Sequence, residues 1–368
     1  MALKVPEELL ASVPAEERGS GRDDVRLMVS RGSAVSHHSF RELPLQLRAG
    51  DVLVVNTSQT LPAAIDGELE QVVGRSPASG TAERVVVHFS TRGDDGRWVV
   101  ELRHPLAGGS TRRRHGGPAG AVVRLPGGVR LVLERPLRDG EQRLWWARPS
   151  VDDVVRVLRR YGRPIRYPYT LRDQPLAAHQ TVFALPSPDG TGSAEMPSAG
   201  RPFTAALVAE LVSRGVQFAP IVLHTGVAST EAHETPYPER FEVSEASARL
   251  VNAARAGGGR IVAVGTTAVR ALETATGPDG VVRALAGWTD LVVTPERGVR
   301  AVDGLLTGLH EPEASHLLML EAIAGREAMS RSNTEALREL YLWHEFGDVH
   351  LILPDEDGHT PHCSSNYW

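Results

Sequence analysis

Apolar residues between Gly192 and Gly265 fall in short continuous runs separated by stretches with helical repeats. Leu207, Val208, Leu211 and Val212 share one helical face, so the spacing predicts a helix that Thr204 caps and Gly215 ends. Ile221-Val222-Leu223 then reads as a short strand that delivers His224 and Thr225 to its C-terminal end, before Gly226. A second helix follows, with Ser244 as its N-cap and Gly257 to Gly259 as its stop. Residues Arg260 to Arg270 repeat the order strand, glycine turn, helix around Gly265. Strand–turn–helix units in succession predict a mostly parallel α/β core, with ligands at the C-terminal ends of its strands. The pattern extends upstream to Val52–Val55, a buried-looking strand that ends in Asn56 and Thr57. Downstream it predicts strands at 288–293 and 302–310, helices at 314–324 and 334–344, and a last strand ending at Leu353.

From about Leu61 to Pro149 the period changes. Short β-like runs at 85–89, 98–102, 121–125, 129–133 and 142–146 are separated by Asp94-Asp95-Gly96, Pro126-Gly127-Gly128 and Asp139-Gly140. This pattern predicts a small antiparallel β-barrel domain at 62–150, inserted into an α/β domain made of 1–61 and 151–353. Pro6 to Ala11 reads as a short helix-like piece followed by a Gly- and Arg-rich linker, and 354–368 as a polar, partly disordered C-terminal tail.

Composition narrows the class. The 368 residues suggest two domains, and 41% hydrophobic content is enough for a sizeable core. The chain has no apolar run of membrane-spanning length and no signal-peptide pattern, so the expectation is a cytoplasmic monomer with no membrane contact. A single cysteine, Cys363, excludes a disulfide framework and a Cys-rich zinc site. A net charge of −5 argues against a broadly basic nucleic-acid binder but leaves room for local patches. Two exist: Thr111-Arg112-Arg113-Arg114-His115, and Arg159, Arg160, Arg163 and Arg166 interleaved with Tyr161, Tyr167 and Tyr169. Each reads either as solvated loop and helix end or as a grip on phosphates and bases. His233 beside Glu231 and Glu234, and His359 near His362, lack convincing metal spacing and read as surface, so no metal is expected. Ser58, Ser198 and Ser229 have no triad partner identifiable in the sequence.

The chemistry-bearing positions cluster at the expected strand ends. In the run Glu195 to Thr204, Pro197 fixes its own φ and Gly200 permits a close approach, with Ser198, Ala199 and Phe203 alongside. Asn56 and Thr57 either turn the chain or contact a ligand. Thr266 and Thr267 open a helix, where free N–H groups and the dipole favour an anionic group. Arg270 and Glu273, three apart on that helix, share a face and form either a surface pair or part of a site.

These residues carry a resemblance. It runs through Gly50-Asp-Val-Leu-Val-Val-Asn-Thr57, Gln180-Thr-Val-Phe-Ala184, Pro197-Ser-Ala-Gly200, Leu223-His-Thr-Gly226, Gly259 to Glu273, Gly287-Trp-Thr-Asp290, Val302-Asp303, Thr307, His310 and Gly347-Asp348. The chain resembles the S-adenosylmethionine:tRNA ribosyltransferase-isomerases of queuosine biosynthesis over nearly its whole length. The resemblance implies a barrel-like, mostly parallel α/β domain carrying an inserted antiparallel β-barrel. It implies S-adenosylmethionine as ribosyl donor and, as acceptor, a 7-aminomethyl-7-deazaguanine base in the tRNA anticodon stem-loop. Adenine and methionine leave, and an epoxycyclopentane forms. The sulfonium acidifies the adjacent ribose carbon, so a general base starts the rearrangement, a donor assists adenine departure, and no metal is needed.

On this resemblance Pro197, Ser198, Ala199, Gly200, Thr225, Gly226, Thr266, Thr267, Arg270 and Glu273 are expected at the cofactor, and Asn56, Thr57, Phe203, Glu239 and Thr307 at the acceptor. His224 and His310, with Asp303 and Asp348 behind them, are the expected acid/base groups. The chain also departs from the family pattern. Ala199-Gly-Arg-Pro-Phe203 has Pro202 where the family has a histidine, Glu239-Arg-Phe-Glu-Val-Ser244 lacks two further histidines, and Gly308-Leu-His310 stands for Asn-Phe-His. Three readings follow: the family enzyme, a divergent S-adenosylmethionine-using enzyme with a small-molecule acceptor, and a catalytically silent S-adenosylmethionine-binding homologue.

Overall fold

The computed structural model describes residues 5–70, 82–227, 237–310 and 317–355. His233 with Glu231 and Glu234, Ser229, Cys363, His359 and His362 lie outside the described residues, as does the tail beyond 355. The chain forms two compact units, one of Met1–Asn56, Ser198–Val222 and Ser229–Trp368, the other of Thr57–Pro197 and Leu223–Ala228.

The first unit opens with α1 (Ala15–Arg18), then β1 (Arg26–Arg31) and β2 (Ala34–Ser39), an antiparallel hairpin, then α2 (Leu43–Gln46) and β3 (Val52–Asn56). The hairpin occupies the segment expected to be linker. β2 is half-exposed and polar along Ala34-Val-Ser-His-His-Ser39, so it lacks the alternation that marks a strand in a sequence.

In the second unit, β4 (Ala64–Glu70), β5 (Glu83–Arg92), β6 (Trp98–Pro105), β7 (Thr111–Arg113), β8 (Val122–Leu125), β9 (Val129–Pro136) and β10 (Leu144–Pro149) are all antiparallel. The order β10-β9-β8-β4-β5-β6 is closed by a β10–β6 pairing, giving a six-stranded barrel with β7 added at β6. Closure leaves no long unpaired edge. Phe89 packs edge-on against Trp98 at 5.5 Å in its core. Buried Glu101 is held there by Arg103 at 2.7 Å and Arg143 at 3.2 Å. The unit continues past the barrel through α3 (Val154–Tyr161), capped by Asp153, to Pro197. The second basic cluster is largely spent on protein: Arg163 pairs with Asp66 at 3.0 Å, and Arg166 donates to the carbonyls of Thr170 and Leu171 at 2.9 Å.

The first unit resumes with α4 (Ala205–Ser213), β11 (Gln217–Leu223), β12 (Glu239–Val243), α5 (Glu245–Ala256), β13 (Ile261–Val264), α6 (Thr266–Thr274), β14 (Leu285–Thr289), β15 (Gly304–Gly308), α7 (Leu317–Ala324), α8 (Arg326–Arg338) and β16 (Val349–Leu353). Thr204 caps α4 by accepting the Leu207 N–H at 3.2 Å, and Ser244 caps α5 by accepting that of Ser247 at 3.2 Å, as their sequences predict. The nine-stranded sheet runs β14-β12-β11-β3-β13-β15-β16-β1-β2. β11, β3, β13 and β15 are parallel and form its centre. β16 runs antiparallel to β15, and β12 antiparallel to β14, so the whole sheet is mixed. Ahead of α4 the chain makes a 3-10 turn, Ser198–Gly200. The last helix ends at Arg338, earlier than predicted, because Leu340 takes a left-handed φ of 55° that no α-helix accommodates.

The sheet contains a titratable liability. His350 of β16 is 1% exposed, its Nε2 within 2.8 Å of the Ser30 Oγ, and burial pushes its imidazole down to about 3. The unfolded chain binds this proton below pH 6.5 while the folded one does not, so stability falls as pH drops from 6.5 toward 3. Buried His88 in the barrel, also held down to about 3, acts with the same sign. His350→Gln keeps a hydrogen-bonding group and removes the titration. Urea unfolding between pH 6.5 and 5 is expected to show a slope shallower by roughly 1.4 kcal/mol per pH unit in the variant. An unchanged slope contradicts this assignment.

Candidate active site

In the α/β unit the C-terminal ends of β3, β13 and β15 lie side by side, with Val264 in register with Val55 and Leu306. Gly265 follows β13 with φ 92° and caps α6. A Cβ at Gly265 would stand 3.5 Å from the Cβ of Ala199, so the Ser198–Gly200 turn packs directly on this glycine. The left-handed φ is what requires glycine here, since a Cβ would meet Ala199 at ordinary van der Waals distance. Thr266 and Thr267 are half-buried in the first turn of α6, where backbone N–H groups have no intrahelical acceptor. The buried Asn56 side chain, at the end of β3, donates to the Thr267 Oγ1 at 3.4 Å. At the end of β15 the buried Thr307 Oγ1 lies 3.4 Å from the His310 Nε2. Six expected site positions therefore gather here: Asn56, Ala199, Thr266, Thr267, Thr307 and His310, with Ser198 and Gly200 in the same turn.

Other expected residues of this unit are committed elsewhere. Asp303 precedes β15, and its Oδ2 accepts the Ile261 N–H at 2.8 Å. That is the N-terminal end of the parallel strands, one strand length from His310, roughly 15 Å. Asp348 is at the C-terminal end of β15, but its two carboxylate oxygens accept the N–H groups of Arg26 and Leu342, each at 2.8 Å. Burial pushes its carboxyl up, against those hydrogen bonds. Arg270 pairs with Glu239 and donates to the carbonyls of Leu291 and Thr289 at 3.1 Å, so it ties α6 to β12 and to the end of β14. Glu273 is 1% exposed and takes the N–H groups of Arg300 and Ala301 at 2.8 Å on one oxygen and Arg297 at 3.0 Å on the other. The exposed alternative for Arg270 and Glu273 is thereby replaced by two separate buried anchors. Phe203 is fully buried edge-on against Phe40 at 5.2 Å.

The β-rich unit holds Pro197, Thr57, His224, Thr225 and Gly226. His224 sits in a cage of hydroxyls: Ser58 Oγ is 2.8 Å from its Nδ1, and Thr191 Oγ1 is 3.1 Å from its Nε2. The chain of contacts extends through Ser58 to Ser193 at 2.7 Å and through Thr191 to Asp189 at 2.5 Å. Ser58 thus has a histidine partner that its sequence context does not reveal. Ser193 also accepts the Thr225 N–H at 3.0 Å, while the Thr225 Oγ1 is closed off from solvent with no hydrogen-bond partner among the described residues. A buried hydroxyl in that state costs on the order of 1–3 kcal/mol unless a ligand completes it. Thr191, Ser193 and Asp189 were not among the expected residues. The signal for them is Gly192, where a Cβ would come within 2.6 Å of the Gln59 carbonyl oxygen and break the pairing that places both neighbours.

Comparison with known proteins places this geometry in context. The model of the family described as queuosine biosynthesis protein matches residues 2–352. An S-adenosylmethionine:tRNA ribosyltransferase-isomerase from Symbiobacterium thermophilum is 35% identical, the match covering 95% of this chain and 97% of the relative. One of the same name from Desulfitobacterium hafniense is 33% identical, over 95% and 98%. The crystal structure of an S-adenosylmethionine tRNA ribosyltransferase from Thermotoga maritima aligns with a TM-score of 0.51 at 28% identity, over 96% of this chain and 99% of that one.

Proposed function

The chain belongs to the queuosine biosynthesis protein family, and from that premise we propose that it transfers and isomerises the ribosyl moiety of S-adenosylmethionine onto a 7-aminomethyl-7-deazaguanine base in tRNA. Adenine and methionine are the leaving products. The observation that carries this reading is the open first turn of α6, with Gly265, Thr266 and Thr267 half-buried and Asn56 braced against Thr267. Such a helix start offers N–H donors and a positive dipole end to a carboxylate or to ribose oxygens. The Ser198–Gly200 turn, seated on Gly265, forms the wall beside it. S-adenosylmethionine supplies a sulfonium that acidifies the neighbouring ribose carbon. His310 at the end of β15 and His224 in its hydroxyl cage are the imidazoles available to move a proton. Among the described residues no helix is long and apolar enough to cross a membrane.

A second reading rests on Pro202 and Gly308, which carry neither the histidine nor the asparagine of the family pattern. It keeps the donor and replaces tRNA by a small-molecule acceptor. Incubation with S-adenosylmethionine, with and without tRNA carrying the aminomethyl-deazaguanine base, separates the two by mass spectrometry. Adenine and methionine released only with that tRNA, together with the epoxycyclopentane nucleoside, support the first. Release with the free base and none with tRNA supports the second.

A further inference from the structure

A small recess opens at the C-terminal end of β15, walled by Ser198, Pro202, Gly308, Glu345, Gly347 and Asp348. Its free space of ≈ 10 Å³ takes one water-sized group, so it accepts the tip of a ligand and not a whole one. Pro202 and Gly308, the two positions of departure from the family pattern that lie here, present no side-chain donor or titratable group. Glu345 does. As a residue it is half-buried, but its Oε2 is shut off from solvent. It stands on a strained turn: His344, immediately before it, is a non-glycine residue at φ 73°. The turn is fixed by the His344 N–H on the Leu309 carbonyl and the Asp348 N–H on that of Leu342, at 2.9 and 2.8 Å.

Protein contacts fix the other charged groups around the recess. Arg201, also on the wall, is 2% exposed, pairs with Glu16 at 2.6 Å and stacks over Phe346. Arg18 donates to the Phe346 carbonyl at 2.9 Å, Asp348 is held by two backbone N–H groups, and Arg26 lies over the Tyr341 ring at 3.9 Å. His344 lines the recess, and the His310 Nε2 lies 3.6 Å from where a Cβ on Gly308, another lining residue, would be. Resting on the function proposed above, we propose that this recess receives the primary amine of the acceptor and that Glu345 is the base that takes a proton from it.

The step is a simple transfer. One N–H bond of the ammonium breaks, an O–H bond forms on the Glu345 carboxylate, and the nitrogen keeps its electron pair for attack on the ribosyl carbon. A charged pair becomes a neutral amine beside a neutral acid, which a desolvated recess favours. Burial, offset in part by a hydrogen bond from its own backbone N–H, pushes the Glu345 carboxyl up to about 7. The carboxyl is therefore a base matched to neutral pH. Turnover must fall as pH drops through that value, because the acid form cannot accept the proton.

The test uses the full chain, S-adenosylmethionine and tRNA bearing the aminomethyl base, with kcat followed from pH 5.5 to 8.5. Glu345→Gln is expected to lose about a hundredfold or more in kcat. It should lose the acidic limb near pH 7 and bind S-adenosylmethionine in calorimetry like the parent. Glu345→Asp, which keeps a carboxyl one methylene further back, should retain a limb at a shifted position with intermediate kcat. E345Q turning over within a few-fold of the parent, or a limb unmoved in E345D, overturns the role of Glu345 alone. Parent protein that releases no adenine with this tRNA overturns the functional reading and this role with it.

Discussion

Replacing His224 with Asn is expected to lower turnover at least about a hundredfold while S-adenosylmethionine still binds. The hydroxyls of Ser58 and Thr191 occupy the two ring nitrogens at 2.8 and 3.1 Å, and each hydroxyl both donates and accepts. Thr191 gives its one hydroxyl proton to Asp189, so Nε2 carries the ring proton and Nδ1, facing Ser58, is the nitrogen left to accept one. Asn keeps one donor and one acceptor but does not titrate near neutral pH. The measurements are kcat across pH 6 to 8 and calorimetry with S-adenosylmethionine. A variant that matches the parent throughout makes His224 a structural member of the hydroxyl network and moves the proton chemistry to the end of β15.

Glu273→Ala is expected to cost about 3–5 kcal/mol of stability, the scale for stripping one partner from a buried charged cluster. The carboxylate takes the N–H groups of Arg300 and Ala301 at 2.8 Å and that of Val302 at 3.4 Å, and pairs with Arg297 at 3.0 Å. Its removal leaves buried N–H donors unsatisfied in the segment that leads into β15. Glu273→Gln keeps an acceptor for those donors and should cost less. Urea denaturation measures both. A loss below about 1 kcal/mol for E273A would mean that water replaces the carboxylate and that the segment is not anchored there.

Much of the α/β unit is legible in the sequence because its strands are short apolar runs with turn residues at both ends. Val52–Asn56, Ile261–Val264 and Val349–Leu353 are buried along their whole length and read as strands directly. Thr204 and Ser244 cap helices as their side chains dictate. Pairing direction is not legible: nothing in Val349–Leu353 says that it runs antiparallel to β15. β4 escapes notice because Asp66, Gly67 and Glu68 interrupt its apolar pattern.

For the site, sequence reasoning finds residues whose role lies in local geometry, such as Gly265, Thr266 and Thr267. It misses those defined by distant partners. Ser58 meets His224 across 166 residues, and Arg270 meets Glu239 across 31. The acidity of Glu345 is invisible for the same reason, since it comes from burial that only the folded chain creates. The role assigned to Asp303 follows from its position beside Val302 in the family-like run, yet parallel topology puts it at the end of β13 away from Thr266.

The most direct measurement of the central claim follows two labels on S-adenosylmethionine, one in the ribose carbons and one in the sulfonium methyl, during incubation with tRNA bearing the aminomethyl base. Ribosyl transfer predicts that the ribose label appears in the tRNA nucleoside while the methyl label leaves with methionine and adenine is freed in equal amount. Methyl label in the tRNA, or both labels recovered in intact S-adenosylmethionine, would contradict it.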